Sequence, residues 1–314
     1  MPINIEEDKK EINNTGFSNS QQNTGDRYIN KTGEPNIAII GVNKISEFSI
    51  YHYMLGLPNW KFLLIILVFY STINVIFAFI YLAIGVEHLN GVIKGTFSAN
   101  FRECYFFSSQ TLTTVGYGRI SPEGLLTNIV SSLEALIGIM TLAIITGLLY
   151  GRFVKPKAYL RYSDNALISP YKNGKALMFR LAPTKAGTLS EVSATVTLAL
   201  SVMEGNEIKN KFFLLPLELE KIMSLTLSWT IVHPINEESP LYKLSLEEIT
   251  AQRMQIIVFT KAFDEGFSNT VVSRTSYTWD EIVDNAKFSP MFKNFETQHT
   301  TLLDLGKLND YEKF

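Results

Sequence analysis

The chain has 314 residues, 46% of them hydrophobic, with 28 Lys+Arg against 30 Asp+Glu and a formal net charge of −2. That length suits about two domains, and the near-neutral, slightly acidic balance excludes a broad basic nucleic-acid surface. One cysteine, Cys104, excludes an intrachain disulfide framework and a cysteine-based zinc site, and 4 histidines without an H-E-x-x-H spacing leave little for a metal enzyme.

Residues 1–36 are rich in Asn, Ser, Gln, Gly and charge and have no apolar period, so they read as a disordered tail. No apolar region follows a basic start, which argues against a secretory signal. Glu47 to Trp60 then carries Phe48, Tyr51 and Leu55, with Tyr53 and Leu57, at roughly helical spacing before Pro58 breaks the element. An amphipathic helix lying in a membrane interface fits this pattern, with a plain connector as the alternative.

From Phe62 to Val86 the chain runs 25 residues without Asp, Glu, Lys, Arg or His. This exceeds the ~20 residues needed to cross a bilayer, and Trp60 and Lys61 stand before it as interfacial anchors. A second apolar stretch, Leu125 to Tyr150, is broken only by Glu134. After it come Arg152, Lys155, Lys157 and Arg161 with no acid among them, so the positive-inside rule puts both termini in the cytoplasm.

Between the spans, Phe101 to Thr111 has helical apolar spacing but is too short to cross, which makes it a re-entrant helix buried among protein neighbours. It runs into Thr114-Val115-Gly116-Tyr117-Gly118, a string that resembles the selectivity signature of potassium channels, and that resemblance implies a four-chain filter of backbone carbonyls for potassium. Dehydrating a potassium ion requires oxygens that replace its water, and rings of backbone carbonyls from four chains supply them. Carbonyls of Thr114 to Tyr117 would point inward, with the Thr114 hydroxyl adding the innermost ring. Successive carbonyls on one side require alternating backbone handedness, which Gly116 and Gly118 tolerate. The side chains of Val115 and Tyr117 would point outward and brace the loop. One chain supplies a quarter of each ring, so a homotetramer follows.

An ionisable residue inside a span is expensive, so Glu134 is expected to be functional or paired. It either sits behind the filter or faces the upper cavity; with Gln110, it is read as support for the pore helix. On the second span Gly138, Leu142, Thr146 and Tyr150 fall at i+4 spacing and are read as lining the path, with Gly147 permitting a bend and Tyr150 closing a constriction. Arg152, Lys155 and Lys157 form a cationic cluster suited to anionic lipid head groups.

Residues 158–314 change character. Ser190 to Ser201 alternates, with Val192, Ala194, Val196, Leu198 and Leu200 on one face. Further β-rich runs cover 175–182, 221–232, 254–263 and 270–279, separated by turn signals at Asn173-Gly174, Ala186-Gly187, Gly205-Asn206 and Glu265-Gly266. A β-sandwich follows. The expected plan is a tail over 1–36, a strand and interfacial helix over 37–59, a membrane domain over 60–155 and a β-domain over 156–314. Within the membrane domain the helices fall at 60–86, 100–112 and 125–153, with the filter at 114–118.

The filter string, two spans, amphipathic helix and β-domain together resemble the inward-rectifier potassium channels, most of all their prokaryotic branch. Outside the pore, the blocks IYHYML, RFVKPKA, NALISPYKNGKALMFR, HPINEESPLY and RTSYTWDEI carry the resemblance, which covers about residues 36–314. It implies a potassium-selective channel without cofactor in a bacterial inner membrane, an immunoglobulin-like cytoplasmic sandwich, and a slide helix at 47–57. It also implies that Leu142 stands where strong rectifiers have an acid, so block by magnesium or polyamines is expected to be weak. Arg152, Lys155 and Lys157 match the phosphoinositide-contacting stretch, and Tyr150 the aromatic constriction. Arg119 stands where prokaryotic relatives have Asp; it either lowers local potassium at the outer mouth or pairs with Glu123 or Glu103. The alternatives are a two-span potassium channel with an unrelated ligand domain and a non-conducting, membrane-tethered β-sandwich sensor. No nucleophile–base set or phosphate loop points to an enzyme.

Overall fold

The computed structural model describes residues 11–12, 15–17, 27–41, 49–154, 157–185, 187, 189–204, 207–242, 244, 246–251, 253–295 and 300–314. They form two units, one of Gly41–Lys155 and one that joins Met1–Ile40 to Pro156–Phe314.

The first unit is helical. Helix α1, Ile50–Gly56, is capped by Ser49, whose side chain accepts from the His52 N–H. It is shorter than the expected 47–57; residues 42–48 lie outside the described residues. Helix α2, Asn59–Ile84, starts after Pro58 and ends at Gly85, whose φ of 113 and N–H bond to the Tyr81 carbonyl close the last turn. Strand β1, Leu89–Asn90, precedes α3, Phe97–Leu112, and strand β2, Ser121–Pro122, pairs antiparallel with β1 before α4, Leu125–Phe153. At 1.5 Å rise per residue, α2 and α4 are about 39 and 44 Å long, enough to cross ~30 Å of hydrocarbon, whereas α3 at about 24 Å is not. In a single chain, α2 exposes Leu63, Leu64, Leu67 and Val68 and α4 exposes Leu133, Leu136, Ile139 and Met140. Helices apolar all round are stable only where lipid or protein covers such faces.

The second unit is a β-sandwich. In chain order its strands are β3 Leu160–Tyr162, β4 Ala166–Tyr171, β5 Gly174–Pro183, β6 Leu189–Glu204, β7 Glu207–Leu215, β8 Lys221–Ser224, β9 Trp229–Ile235, β10 Gln255–Asp264, β11 Asn269–Thr278 and β12 Ile282–Asp284. One sheet has the order β11-β10-β6-β7 with β8 also on β6; the other has the order β12-β4-β5-β3 with β9 also on β5. The alternating face of β6 is the core face: Val192, Ala194, Val196, Leu198 and Leu200 are buried against Leu177, Phe179 and Leu181 of β5. The run 221–232 is two strands rather than one. Its chain leaves the first sheet after β8, fixed by the Leu225 N–H to the Leu189 carbonyl at 2.9 Å, and enters the second as β9. His233 on β9 is buried, its ring nitrogens 2.6 Å from the Pro216 carbonyl and 2.8 Å from Ser239 Oγ. Burial holds its pKa below the ordinary value.

The described part of the polar tail corrects the expectation of disorder. Residues 27–36 pack on the β-domain: Ile29 is buried, the Tyr28 N–H donates to Gln255 at 2.8 Å, and Arg27 pairs with Glu281. Lys31 Nζ lies 4.2 Å from the centroid of the Tyr277 ring. Gly33, at φ +86, lies so close to Arg274 that a Cβ would stand 2.6 Å from its carbonyl oxygen. A few apolar and charged anchors suffice where the partner surface is already built. A strand was expected within 37–59; residues 37–41 form none, and 42–48 lie outside the described residues.

Candidate functional site

Helix α3 carries the site. Cys104 and Phe107 bury against Ala78 and Tyr81 of α2, with Leu89 and Ile120 in the same cluster. Behind it, three helices meet on one carboxylate. Glu134 of α4 is fully buried, accepts from the Tyr81 hydroxyl of α2 at 2.6 Å and from the Ser108 hydroxyl of α3, and Ser108 Oγ also lies 3.0 Å from Asn74 Oδ1. Glu134, expected behind the filter or facing the upper cavity, is here buried between α2 and α3. Asn74, Tyr81 and Ser108 were not singled out from sequence, although polar groups in an apolar span are a usable signal.

Close packing adds a second constraint. A Cβ on Gly138 would stand 1.9 Å from the Leu112 carbonyl oxygen, so α4 passes the end of α3 at a distance that only glycine allows. Gly138 is buried and belongs to this seam. Leu142, Thr146, Gly147 and Tyr150 stay exposed along the same helix, which separates Gly138 from the stripe with which its spacing grouped it. Thr146 donates its hydroxyl to the Leu142 carbonyl at 2.8 Å.

The chain leaves α3 at Thr113 and enters the five-residue string. The main-chain carbonyl of Gln110 accepts from Val115 N–H at 2.9 Å and from Gly116 N–H at 3.3 Å, and Thr111 accepts from Thr114 N–H at 3.1 Å. Gln110 therefore supports the string through its backbone. Positive φ recurs at alternate residues: 59 at Thr114, 53 at Gly116 and 81 at Gly118. In a single chain Val115 and Tyr117 are 52% and 80% exposed, so both side chains leave surface open to a neighbour.

Beyond the string, Arg119 Nη2 lies 2.6 Å from Glu103 Oε2 of α3. Of the partners weighed for Arg119, Glu103 is the one it has.

At the other end of α4, Arg152 donates to the Met54 carbonyl at 2.6 Å, the Leu57 carbonyl at 2.7 Å and Asn59 Oδ1 at 2.6 Å, and its guanidinium lies 4.6 Å from the centroid of the Phe62 ring. Arg152 thus ties the end of α1 to the start of α2. Lys155 lies outside the described residues, and Lys157 is exposed in the other unit.

Residues 65–155 match a family described as "Ion channel" and residues 160–313 one described as "Inward rectifier potassium channel C-terminal domain". The chain is 31% identical over 286 residues to the inward rectifier potassium channel Kirbac3.1 of Paramagnetospirillum magnetotacticum, covering 90% of this chain and 95% of that one. It belongs to the inward-rectifier potassium channel family. It is also 26% identical to the G protein-activated inward rectifier potassium channel 4 of Bos taurus, over 90% of this chain and 73% of that one. A shape comparison with the sporulation control protein Spo0M of Bacillus subtilis reaches a TM-score of only 0.19 at 7% identity, over 41% of this chain and 50% of that one, too slight a likeness to identify a shared fold. The inward rectifier is thus a potassium channel, not an enzyme, with two apolar helices ahead of a β-sandwich.

Proposed function

We propose that four copies of the chain assemble around one axis and pass potassium through the Thr114–Gly118 string. The observation that carries this reading is the alternation of positive φ at Thr114, Gly116 and Gly118 in a segment whose Val115 and Tyr117 side chains stay largely exposed in a single chain. Such a backbone aims successive carbonyls at a common line, and only further copies can complete the rings and brace the side chains. Below the filter, Leu142 and Thr146 line the path and Tyr150 narrows it near the end of α4, with Gly147 as the bending point. An aliphatic Leu142 leaves magnesium and polyamines a weak foothold, so rectification is shallow.

The basic residues after α4 put both termini in the cytoplasm, and the bacterial relative supports an inner-membrane location. Lys155 and Lys157 are the residues to contact anionic lipids or phosphoinositides. Arg152, spent on three oxygens, acts instead by holding α1.

The decisive experiment is rubidium-86 uptake by liposomes containing the purified chain. Barium-sensitive uptake is expected; uptake equal to that of empty liposomes across lipid compositions refutes the reading. Lys155→Gln with Lys157→Gln is expected to weaken the response to phosphoinositide, while an unaltered response moves the lipid site elsewhere.

A further inference from the structure

The first residue beyond the filter is a cation, and the structure holds it in a fixed place. Arg119 Nη2 lies 2.6 Å from Glu103 Oε2, and Arg119 Nη1 is 3.5 Å from the Gly91 carbonyl. The backbone is fixed as well: a Cβ on Gly91, at φ +84, would stand 1.8 Å from the Arg119 carbonyl oxygen. The β1–β2 pair, Leu89 with Pro122 and Asn90 with Ser121, continues the same lacing. Glu103 is 16% exposed and Arg119 49%, so the pair lies at the rim, with the acid on its inner side. It is the one ion pair among the described residues of 49–154.

A lone cation contributed by each of four chains to the one filter exit repels potassium at the point where the ion gathers its coordination. A carboxylate 2.6 Å away converts that charge into a dipole, whose field falls off much faster with distance. Rim charges act within a Debye length, about 8 Å at 0.15 M salt and about 30 Å at 0.01 M.

We propose that Glu103 sets the charge of the filter exit: by pairing with Arg119 it cancels a cation that otherwise repels entering potassium, and it keeps the guanidinium fixed at the rim. This rests on reading Thr114–Gly118 as the filter. Glu103 is a positioning residue here, since it acts through Arg119, and the two side chains have opposite effects when removed singly. Glu103→Gln leaves four unpaired cations; Arg119→Gln leaves four unpaired carboxylates.

The test is unitary potassium conductance of the full chain in planar bilayers, with barium applied at the filter exit, at low and high concentrations of an inert salt. At ~0.02 M ionic strength, Glu103→Gln is expected to lower conductance about threefold, and to weaken barium block about tenfold because the blocker is divalent. Arg119→Gln is expected to move both readouts the other way. The double variant is expected to return to within about twofold of wild type, and all differences to shrink toward none at ~1 M. Structural weakening produces neither the opposite signs nor the salt dependence, and Arg119→Gln carries the test if Glu103→Gln fails to assemble. A conducting wild type with variants that shift in the same direction, or equally at both salts, or not at all, overturns the pairing role. A wild type that carries no current overturns the filter reading, and this proposal falls with it.

Discussion

Gly138→Ala is the smallest substitution that tests the architecture behind the filter. The added Cβ would meet the Leu112 carbonyl oxygen at 1.9 Å, and that oxygen belongs to the last turn of α3, where no side-chain rotation relieves the clash. An ordinary carbon–oxygen contact needs roughly 3.3 Å, so α4 must retreat from α3 by more than ~1 Å. Overpacking of this kind costs about 1–3 kcal/mol per chain, before any loss at Glu134, which sits one turn earlier on the same helix. Gly147→Ala is the internal control. It lies on α4 as well, but nothing stands within 4 Å of its Cβ position, so the substitution should gain about 0.5–1 kcal/mol of helix stability. Thermal dissociation of the detergent-solubilised oligomer, read by size-exclusion chromatography, should fall for Gly138→Ala and hold or rise for Gly147→Ala; rubidium uptake should fall sharply in the first. A Gly138→Ala protein that matches wild type in both assays would refute the argument that α4 and α3 meet at glycine distance.

Three further outcomes follow from the same geometry. Tyr81→Phe removes a hydroxyl that donates to the buried Glu134 carboxylate and should destabilise the channel by about 1–2 kcal/mol, measured as a lower dissociation temperature; no change would mean the carboxylate finds another donor. Leu142→Asp should strengthen spermine block applied from the cytoplasmic side, and unchanged block would show that this residue does not face the permeation path. His233 has a pKa held below its ordinary 6.5 by burial, so below about pH 6.5 the unfolded chain takes up the proton first and the fold loses stability as pH falls, at up to about 1.4 kcal/mol per pH unit. His233→Gln should flatten the fall in melting temperature between pH 7 and 5; equal slopes in the two proteins would assign the acid sensitivity elsewhere.

The spans, the short helix between them and the filter string are legible because each rests on a local pattern: length without charge, a helix too short to cross, five consecutive residues. The face of β6 is legible for the same reason, since alternation decides it. The rest depends on distance in sequence. Arg27 meets Glu281 across 254 positions, and nothing in a polar stretch of Asn and Thr announces that Ile29 will be buried. Gly138 shares the i+4 spacing of Leu142 and Thr146, and periodicity cannot tell a residue pressed on a neighbouring helix from one facing an open path. Arg152 reads as one cation among several until the carbonyls at the end of α1 come within its reach. The carboxylate of Glu134 was conspicuous in sequence, but its partners were ordinary: a tyrosine on α2 and a serine on α3, the serine in turn bonded to an asparagine of α2.

Thr114 has a φ of 59, a conformation that costs an L-residue about 1–2 kcal/mol and suits a β-branched side chain least of all. In the proposed tetramer that cost recurs fourfold, at one level of the pore, in a segment otherwise open to solvent. The balancing energy is available from the cargo: an ion that fits the carbonyl rings binds the strained backbone and not the relaxed one, so it stabilises the assembly by mass action. Potassium is then an architectural component as well as a passenger. Replacing it in the medium with an ion too small for the rings should loosen the four-chain assembly even when no current flows.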